Sequence, residues 1–223
     1  MANNYFMIKN KFIYKKQLKN GYIIQNSQPE HAAGLNALQK IVFPKLSDDE
    51  IFTKEHYLKH IQAFPEGQFV ILDGDKVIGM STTVRSKLLS EPHTFLEASG
   101  DLILNNYDPD GDWLSGLDVG VNPAYRGYGL GREIYRARQD LVNFLGLKGQ
   151  FTVGMINGYY KMRLQMTPQD YFDKLMKKEI NDPTVSLQER IGFTLKKLIP
   201  DYCDDETCGN CGVLMTLDAD QTI

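Results

Sequence analysis

The spacing of apolar positions changes several times along the chain, and each change predicts an element. Tyr22-Ile23-Ile24 is a short apolar run that predicts a strand. Ser27 and Glu30 stand at capping-box spacing with Pro29 in the first turn. They predict a helix that turns Leu35, Leu38 and Ile41 inward. Ser47 and Glu50 repeat that spacing, Leu46 can pack on Ile51, and Tyr57, Leu58 and Ile61 continue a helical stripe. The period then falls to two. Residues 68–72 and 76–84 flank Asp73-Gly74-Asp75, which predicts a hairpin.

Residues 90–112 are polar and rich in turn formers, so a loop or a loosely structured excursion with room for one short strand is expected there. Trp113 to Val121 predicts a strand. From Leu130 to Leu145 an amphipathic helix is expected. Leu130, Ile134, Ala137, Leu141 and Leu145 share one face, while Arg132, Glu133, Arg136, Gln139 and Asn143 share another, and Gly146 ends it. Residues 151–156 predict a strand. Thr167, Pro168 and Asp170 open a helix carrying Leu175 and Met176. Residues 187–191 predict a short helix, and 193–199 and 213–217 the last strands. The order of elements points to one α/β domain over residues 1–223. Residues 1–20, rich in Lys and Asn, are expected to be a mobile N-terminal extension or an edge element.

Composition narrows the functional classes. The chain has 223 residues, 42% hydrophobic and 24% charged, which suits a globular domain with a sizeable core. A formal charge of −3 gives no reason to expect nucleic acid or an anionic membrane as partner. No apolar run is long enough to span a bilayer, and residues 1–10 carry no leader pattern. The three Cys cluster late, unlike a secreted disulfide framework. A cytoplasmic location is the default expectation.

The most informative stretch runs from Val119 through Arg126-Gly127-Tyr128-Gly129-Leu130-Gly131-Arg132. A strand ends, Pro123 turns the chain, and glycines at alternate positions open the long helix. Glycine lets backbone approach an anion, and the first amides of a helix have no intrahelical partners. The helix dipole adds positive character, so the turn is suited to a pyrophosphate, with Arg126 and Arg132 beside it. The competing reading is a tight turn whose glycines serve packing alone. A Walker loop is excluded because Gly131 is followed by Arg132 and Glu133 rather than Lys and Ser or Thr. The dinucleotide fingerprint is absent too.

Arg126-x-x-Gly129-x-Gly131 after Val119 and Val121 resembles the acetyl-CoA signature of GNAT acetyltransferases. The element order resembles that fold over residues 20–217. The text is most similar to the GNAT domain found fused to carbon–nitrogen hydrolases, in the stretches Phe64-Pro65-Glu66-Gly67-Gln68, Asp108-Pro109-Asp110-Gly111-Asp112-Trp113 and Ile191-Gly192-Phe193. Residues 1–223 are not expected to include a hydrolase domain, so that chemistry is not carried over. The resemblance implies a mixed, mostly antiparallel sheet flanked by helices. It implies acetyl-CoA as co-substrate, held by Val119, Gly120, Val121, Arg126, Gly127, Tyr128, Gly129, Leu130, Gly131 and Arg132. The strand backbone would pair with pantetheine, the turn amides with pyrophosphate, and an amide near Val119 with the oxyanion. An amine acceptor would then attack directly in a ternary complex. Family analogy also allows a homodimer.

An amine with a pKa of about 10 needs help to lose its proton. Asp118, Asp112 and Glu97 are the candidate bases, with Asp118 foremost. The resemblance places a Tyr as general acid four residues before the Gly192-Phe193 pair, but that position is Gln188. Tyr159 is the expected replacement, with Tyr160 beside it. Two other functions remain open: an acyl-CoA-binding module without catalysis, and an acyltransferase using another donor such as succinyl-CoA. Cys203, Cys208 and Cys211 are read as thiols with no metal. Asp201, Asp204, Asp205 and Glu206 form a solvated acidic loop, or one that attracts a cationic amine. His56 and His60 are expected at the surface. Residues 158–183 are expected to cap the acceptor site.

Overall fold

The computed structural model describes the backbone of residues 5–8 and the whole of residues 11–223. Its strands are β1 (Tyr5–Ile8), β2 (Lys11–Gln17), β3 (Ile23–Asn26), β4 (Phe69–Asp73), β5 (Lys76–Ser86), β6 (Trp113–Val121), β7 (Gly149–Met155), β8 (Thr194–Ile199) and β9 (Gly212–Asp218). The helices are α1 (Ala32–Val42), α2 (Lys54–Ala63), α3 (Phe95–Ser99), α4 (Leu130–Leu145), α5 (Pro168–Met176) and α6 (Val185–Ile191). Among the described residues the strands form one sheet in the order β1-β2-β3-β4-β5-β6-β7-β9-β8. Every neighbouring pair is antiparallel except β6 and β7. The expected mixed, mostly antiparallel sheet flanked by helices is therefore the observed one.

Alternation along the strands assigns the two faces. Phe69, Ile71, Ile78 and Leu114 meet Leu130, Ile134, Ala137 and Leu141 of α4 on one side. On the other, Val70, Met80 and Val84 meet Leu35 and Leu38 of α1 and Tyr57 of α2. Each fully buried Leu or Ile contributes about 2 kcal/mol by leaving water.

Several local expectations need correction. The single turn Pro29–His31 that leads into α1 is closed by the Gln28 amide donating to His31 Nδ1 at 2.9 Å, not by Ser27 and Glu30. That register leaves Ile41 half exposed and buries Gln39, whose side chain receives the Tyr57 hydroxyl at 2.9 Å. Ser47 and Glu50 bound only a single turn, and α2 begins later, with Thr53 accepting from the His56 amide. Glu50 instead accepts from the Asp204 amide at 2.8 Å, tying the acidic loop to the core. Asp205 in that loop is buried and caps Thr207. Leu58 and Met176 lie at exposed positions. His60 is fully buried, with Nε2 2.7 Å from the Leu102 carbonyl, and burial pushes its pKa down to about 4.

Residues 90–112 are not all loop. Thr94 and Glu97 form a capping box that opens the one-turn α3, and Phe95 packs between Phe52 and Tyr202. A tight coil follows, with Asp101, Leu102 and Leu104 at positive φ. Too few apolar residues recur there to reveal a helix by period, so packing of Phe95 decides it. Of residues 1–20, the described parts are strands of the sheet: β1 lies at its edge and β2 pairs with β3. Residues 1–4 and 9–10, and with them much of the leader expectation, lie outside the described residues. Among the described residues no helix is long and apolar enough to cross a membrane.

Candidate functional site

The site begins with a fork in the sheet. β5 pairs with β6 through Thr82↔Asp118 and then Thr83↔Gly116, so Leu117 is an extra residue in β6. Such a bulge bends and twists its strand. The parallel ladder between β6 and β7 runs from Trp113↔Gly149 to Gly116↔Thr152 and stops. Beyond it β6 continues to Val121 and β7 to Met155 with no ladder between them. Backbone groups that a partner strand would satisfy are left for another partner.

At the end of β6 the chain enters the glycine turn. Asn122 accepts from the Ala124 amide at 3.0 Å, and the Tyr125 hydroxyl donates to Asp73 at 3.0 Å, anchoring the turn to the β4–β5 hairpin. Gly127 and Gly129 have φ of +87° and +75°, a region that disfavours other residues. A Cβ added at Gly127, Gly129 or Gly131 would meet nothing within 4 Å. These glycines are not there for packing, so the turn opens to solvent. The first carbonyl to close a helical bond is that of Gly129, reached by the Glu133 amide at 3.2 Å. Amides ahead of it have no intrahelical carbonyl. Arg126 is exposed and donates from Nε to the Val121 carbonyl at 3.3 Å. Gly120 has a packing reason of its own, because a Cβ there would press on Met80 Cε at 2.7 Å. Tyr128 is exposed and the Leu130 side chain is buried.

Asp118 sits just past the bulge and is buried. Its carboxylate accepts from the Thr82 amide and, at 3.3 Å, from the Tyr57 hydroxyl. Burial is the largest influence and raises its pKa to about 6; the Thr82 and Tyr57 hydrogen bonds and the Arg138 charge oppose it. A carboxylate poised there can hold or release a proton near neutrality. The other candidate bases lie elsewhere. Glu97 is the capping residue of α3, and Asp112 is paired with Lys148 at 2.6 Å at the opposite end of the ladder.

Tyr159 is buried against Tyr171 and Gly209, and its hydroxyl donates to the Met166 carbonyl at 3.2 Å. Tyr160 is exposed and stacks with Arg163. Gln188 is buried and reaches across to the hydroxyl of Tyr135, with Nε2 donating at 2.8 Å. A phenol therefore still stands at this end of the fork, brought by α4 rather than α6. Tyr57, Tyr135 and Arg138 were not anticipated. The signal for Arg138 was present: it follows Ile134 by four positions and precedes Leu141 by three, so a charge interrupts an apolar stripe. For Tyr57 the apolar period announced burial and hid the hydroxyl; Tyr135 lies outside the expected apolar face of α4 and is buried nonetheless.

The segment 158–183 is tied down by Asp182, which accepts from the Gly158 amide at 2.8 Å and from the Tyr171 hydroxyl at 3.0 Å. Cys203, Cys208 and Cys211 are free and buried, with Cys203 and Cys208 sulfurs 3.7 Å apart. Among the described residues no group of His, Cys, Asp and Glu could hold a metal ion.

Comparison with known proteins places this geometry. The acetyltransferase (GNAT) family profile matches residues 35–157. The "Probable hydrolase YhcX" of Bacillus subtilis (strain 168) is 33% identical over 83% of the chain, which spans 36% of that protein's length. The "Uncharacterized N-acetyltransferase YkwB" of the same organism is 28% identical over 94% of each chain. Among solved structures, "GphF GNAT-like decarboxylase in complex with isobutyryl-CoA" shares the fold at a TM-score of 0.74 and 20% identity, covering 88% of this chain and 98% of its own.

Proposed function

The chain belongs to the acetyltransferase (GNAT) family, and we propose that it transfers an acetyl group from acetyl-CoA to an amine-bearing acceptor in a ternary complex. One observation carries the reading. A strand released from its ladder at Gly116 runs directly into a glycine turn that is open and presents unclaimed amides at a helix start. A long thioester with a pyrophosphate in its middle suits that continuous track. The solved relative of the same fold holding isobutyryl-CoA supports an acyl-CoA as occupant.

In this reading Val119 and Val121 pair with the pantetheine arm through their backbones. The amides from Gly127 to Arg132 hold the pyrophosphate, with Arg126 and Arg132 adding charge. An amide near Val119 receives the oxyanion as the amine attacks the thioester carbon. Asp118 takes the proton from the amine, directly or through water, and Tyr57 positions its carboxylate. The departing thiolate, with a pKa of about 8.5, takes a proton from a phenol or from water. Tyr159 was the expected donor. Its hydrogen bond to Met166 favours Tyr135 instead, whose hydroxyl accepts from Gln188 and keeps its own proton free. The catalytic unit is one domain without a metal, acting in the cytoplasm on a small or protein-borne amine.

Calorimetry with acetyl-CoA, followed by a CoA-release screen of amines, tests the reading. Micromolar binding and amine-dependent CoA release are expected. Binding without turnover across a broad amine panel would leave an acyl-CoA-binding module. A folded protein that ignores acetyl-CoA would sink the proposal.

A further inference from the structure

Arg138 is a fully buried cation on α4. It is 0% exposed, and Nε, Nη1 and Nη2 all lack a hydrogen-bond partner among the described residues. Its guanidinium lies in the space above Gly116, where a Cβ would fall 1.8 Å from Nη2 and 2.3 Å from Cζ. Gly116 is the last residue of β6 in the ladder with β7, so the cation sits at the point of the fork. The ring of Tyr135, 5.1 Å away, offsets part of the cost as a cation–π partner. Asp118 is too distant to form an ion pair, though each feels the other's charge.

Nearby polar groups are also incomplete. Gln188 Oε1 is buried with no partner among the described residues, and it lies against Gly154 of β7. Gln150, whose Nε2 donates to the Tyr135 carbonyl, likewise has an Oε1 with no partner among the described residues. A fold that leaves several donors and acceptors unmet at one place keeps them for a ligand or bears their desolvation without return. A guanidinium presents a planar fork that fits a carboxylate with two parallel hydrogen bonds.

We propose that Arg138 is the receptor for a substrate carboxylate that enters at the fork. The inference rests on the acyl-CoA reading above and adds a substrate class to it. The carboxylate has two possible carriers. It can terminate the acyl group, as in malonyl-CoA or succinyl-CoA, or it can belong to an amino-acid acceptor that meets the thioester there. The chemistry recognised is the same, and Gly116 is the glycine that makes room for the guanidinium.

Calorimetry on the wild-type protein separates the carriers without any variant. Malonyl-CoA is compared with propionyl-CoA, and succinyl-CoA with butyryl-CoA, pairs of equal chain length that differ in the carboxylate. Acetyl-CoA reports the cofactor site itself. If the acyl group carries the charge, one carboxyacyl-CoA binds about 10- to 100-fold tighter than its neutral match. If the acceptor carries it, KM for an amino acid is lower by a similar factor than for the amine lacking its carboxylate, with acetyl-CoA as donor. In either arm Arg138→Met abolishes the discrimination and leaves acetyl-CoA affinity in place, and Arg138→Lys restores part of it. Binding of acetyl-CoA with no carboxylate discrimination in either arm overturns this inference alone. Failure of folded wild-type protein to bind any CoA ester overturns the acyl-CoA reading as well.

Discussion

The glycine turn and the fork at Gly116 are adjacent in the chain and opposite in character. The turn is open, nearly free of side-chain packing, and works through backbone amides and helix polarity. The fork is closed. Side chains from α2, β5, β6, α4 and α6 converge on it: Tyr57, Thr82, Asp118, Tyr135, Arg138 and Gln188 are all buried. The turn can be built by one continuous segment because its proposed ligand, a pyrophosphate, needs only donors and positive potential. The fork must be assembled from distant segments because acid–base work requires groups whose pKa values are set by what surrounds them.

Changes at the turn should abolish useful cofactor binding and leave the fold intact. Gly129→Asp combined with Arg126→Ala puts a negative charge where the pyrophosphate is expected and removes a positive one. Acetyl-CoA affinity should fall by about 100-fold or more, measured by calorimetry, with an unaltered circular dichroism spectrum.

Changes at the fork should separate activity from stability. Asp118→Asn should lower the rate of amine acetylation by about 100- to 1,000-fold. Its effect on stability has the opposite sign. The folded pKa of Asp118 is raised from 3.8 to about 6, so between those values the folded state holds a proton that the unfolded chain has released. Wild-type stability therefore declines as pH rises through that window, by on the order of 2–3 kcal/mol from this residue. Asn escapes the decline. Urea unfolding at pH 4 and at pH 7.5 should show a gain for the variant only at the higher pH. An equal effect at both values would refute the buried, proton-sharing carboxylate.

Tyr57→Phe is a finer probe. It removes one hydrogen bond that holds the Asp118 pKa down. The pH–rate profile should shift to higher pH, with a loss of about 3- to 10-fold at neutral pH. A purely structural Tyr57 would lower stability without moving the profile. The smallest effect belongs to the far end of the ladder. Lys148→Ala breaks a surface pair with Asp112 and should change stability by less than about 0.5 kcal/mol, with no effect on activity.

The same contrast explains what could be read from the residues alone. Trp113–Val121 and Leu130–Leu145 match the expected strand and helix end to end, because a period-two run, a proline turn and a strong amphipathic stripe coincide there. Short elements with weak period were misjudged. The one-turn α3 was read as loop, Ile41 was turned inward when it faces solvent, and His60 was placed at the surface though it is fully buried. In each case the deciding contact lies far away in sequence: Tyr202 against Phe95, Tyr57 against Gln39, and the Leu102 carbonyl against His60.

By itself, the sequence determined the α/β order, the long helix after the turn and the glycines that open its start. Those features depend on residues close together in the chain, where period, propensity and capping act. Tertiary structure alone decided that β6 leaves β7 at Gly116, that Asp118 meets Tyr57, and that Gln188 hands its amide to Tyr135. It also decided that the Arg138 guanidinium has no hydrogen-bond partner among the described residues. Burial and desolvation set the chemistry of these groups, and both are properties of the assembled neighbourhood rather than of any residue within it.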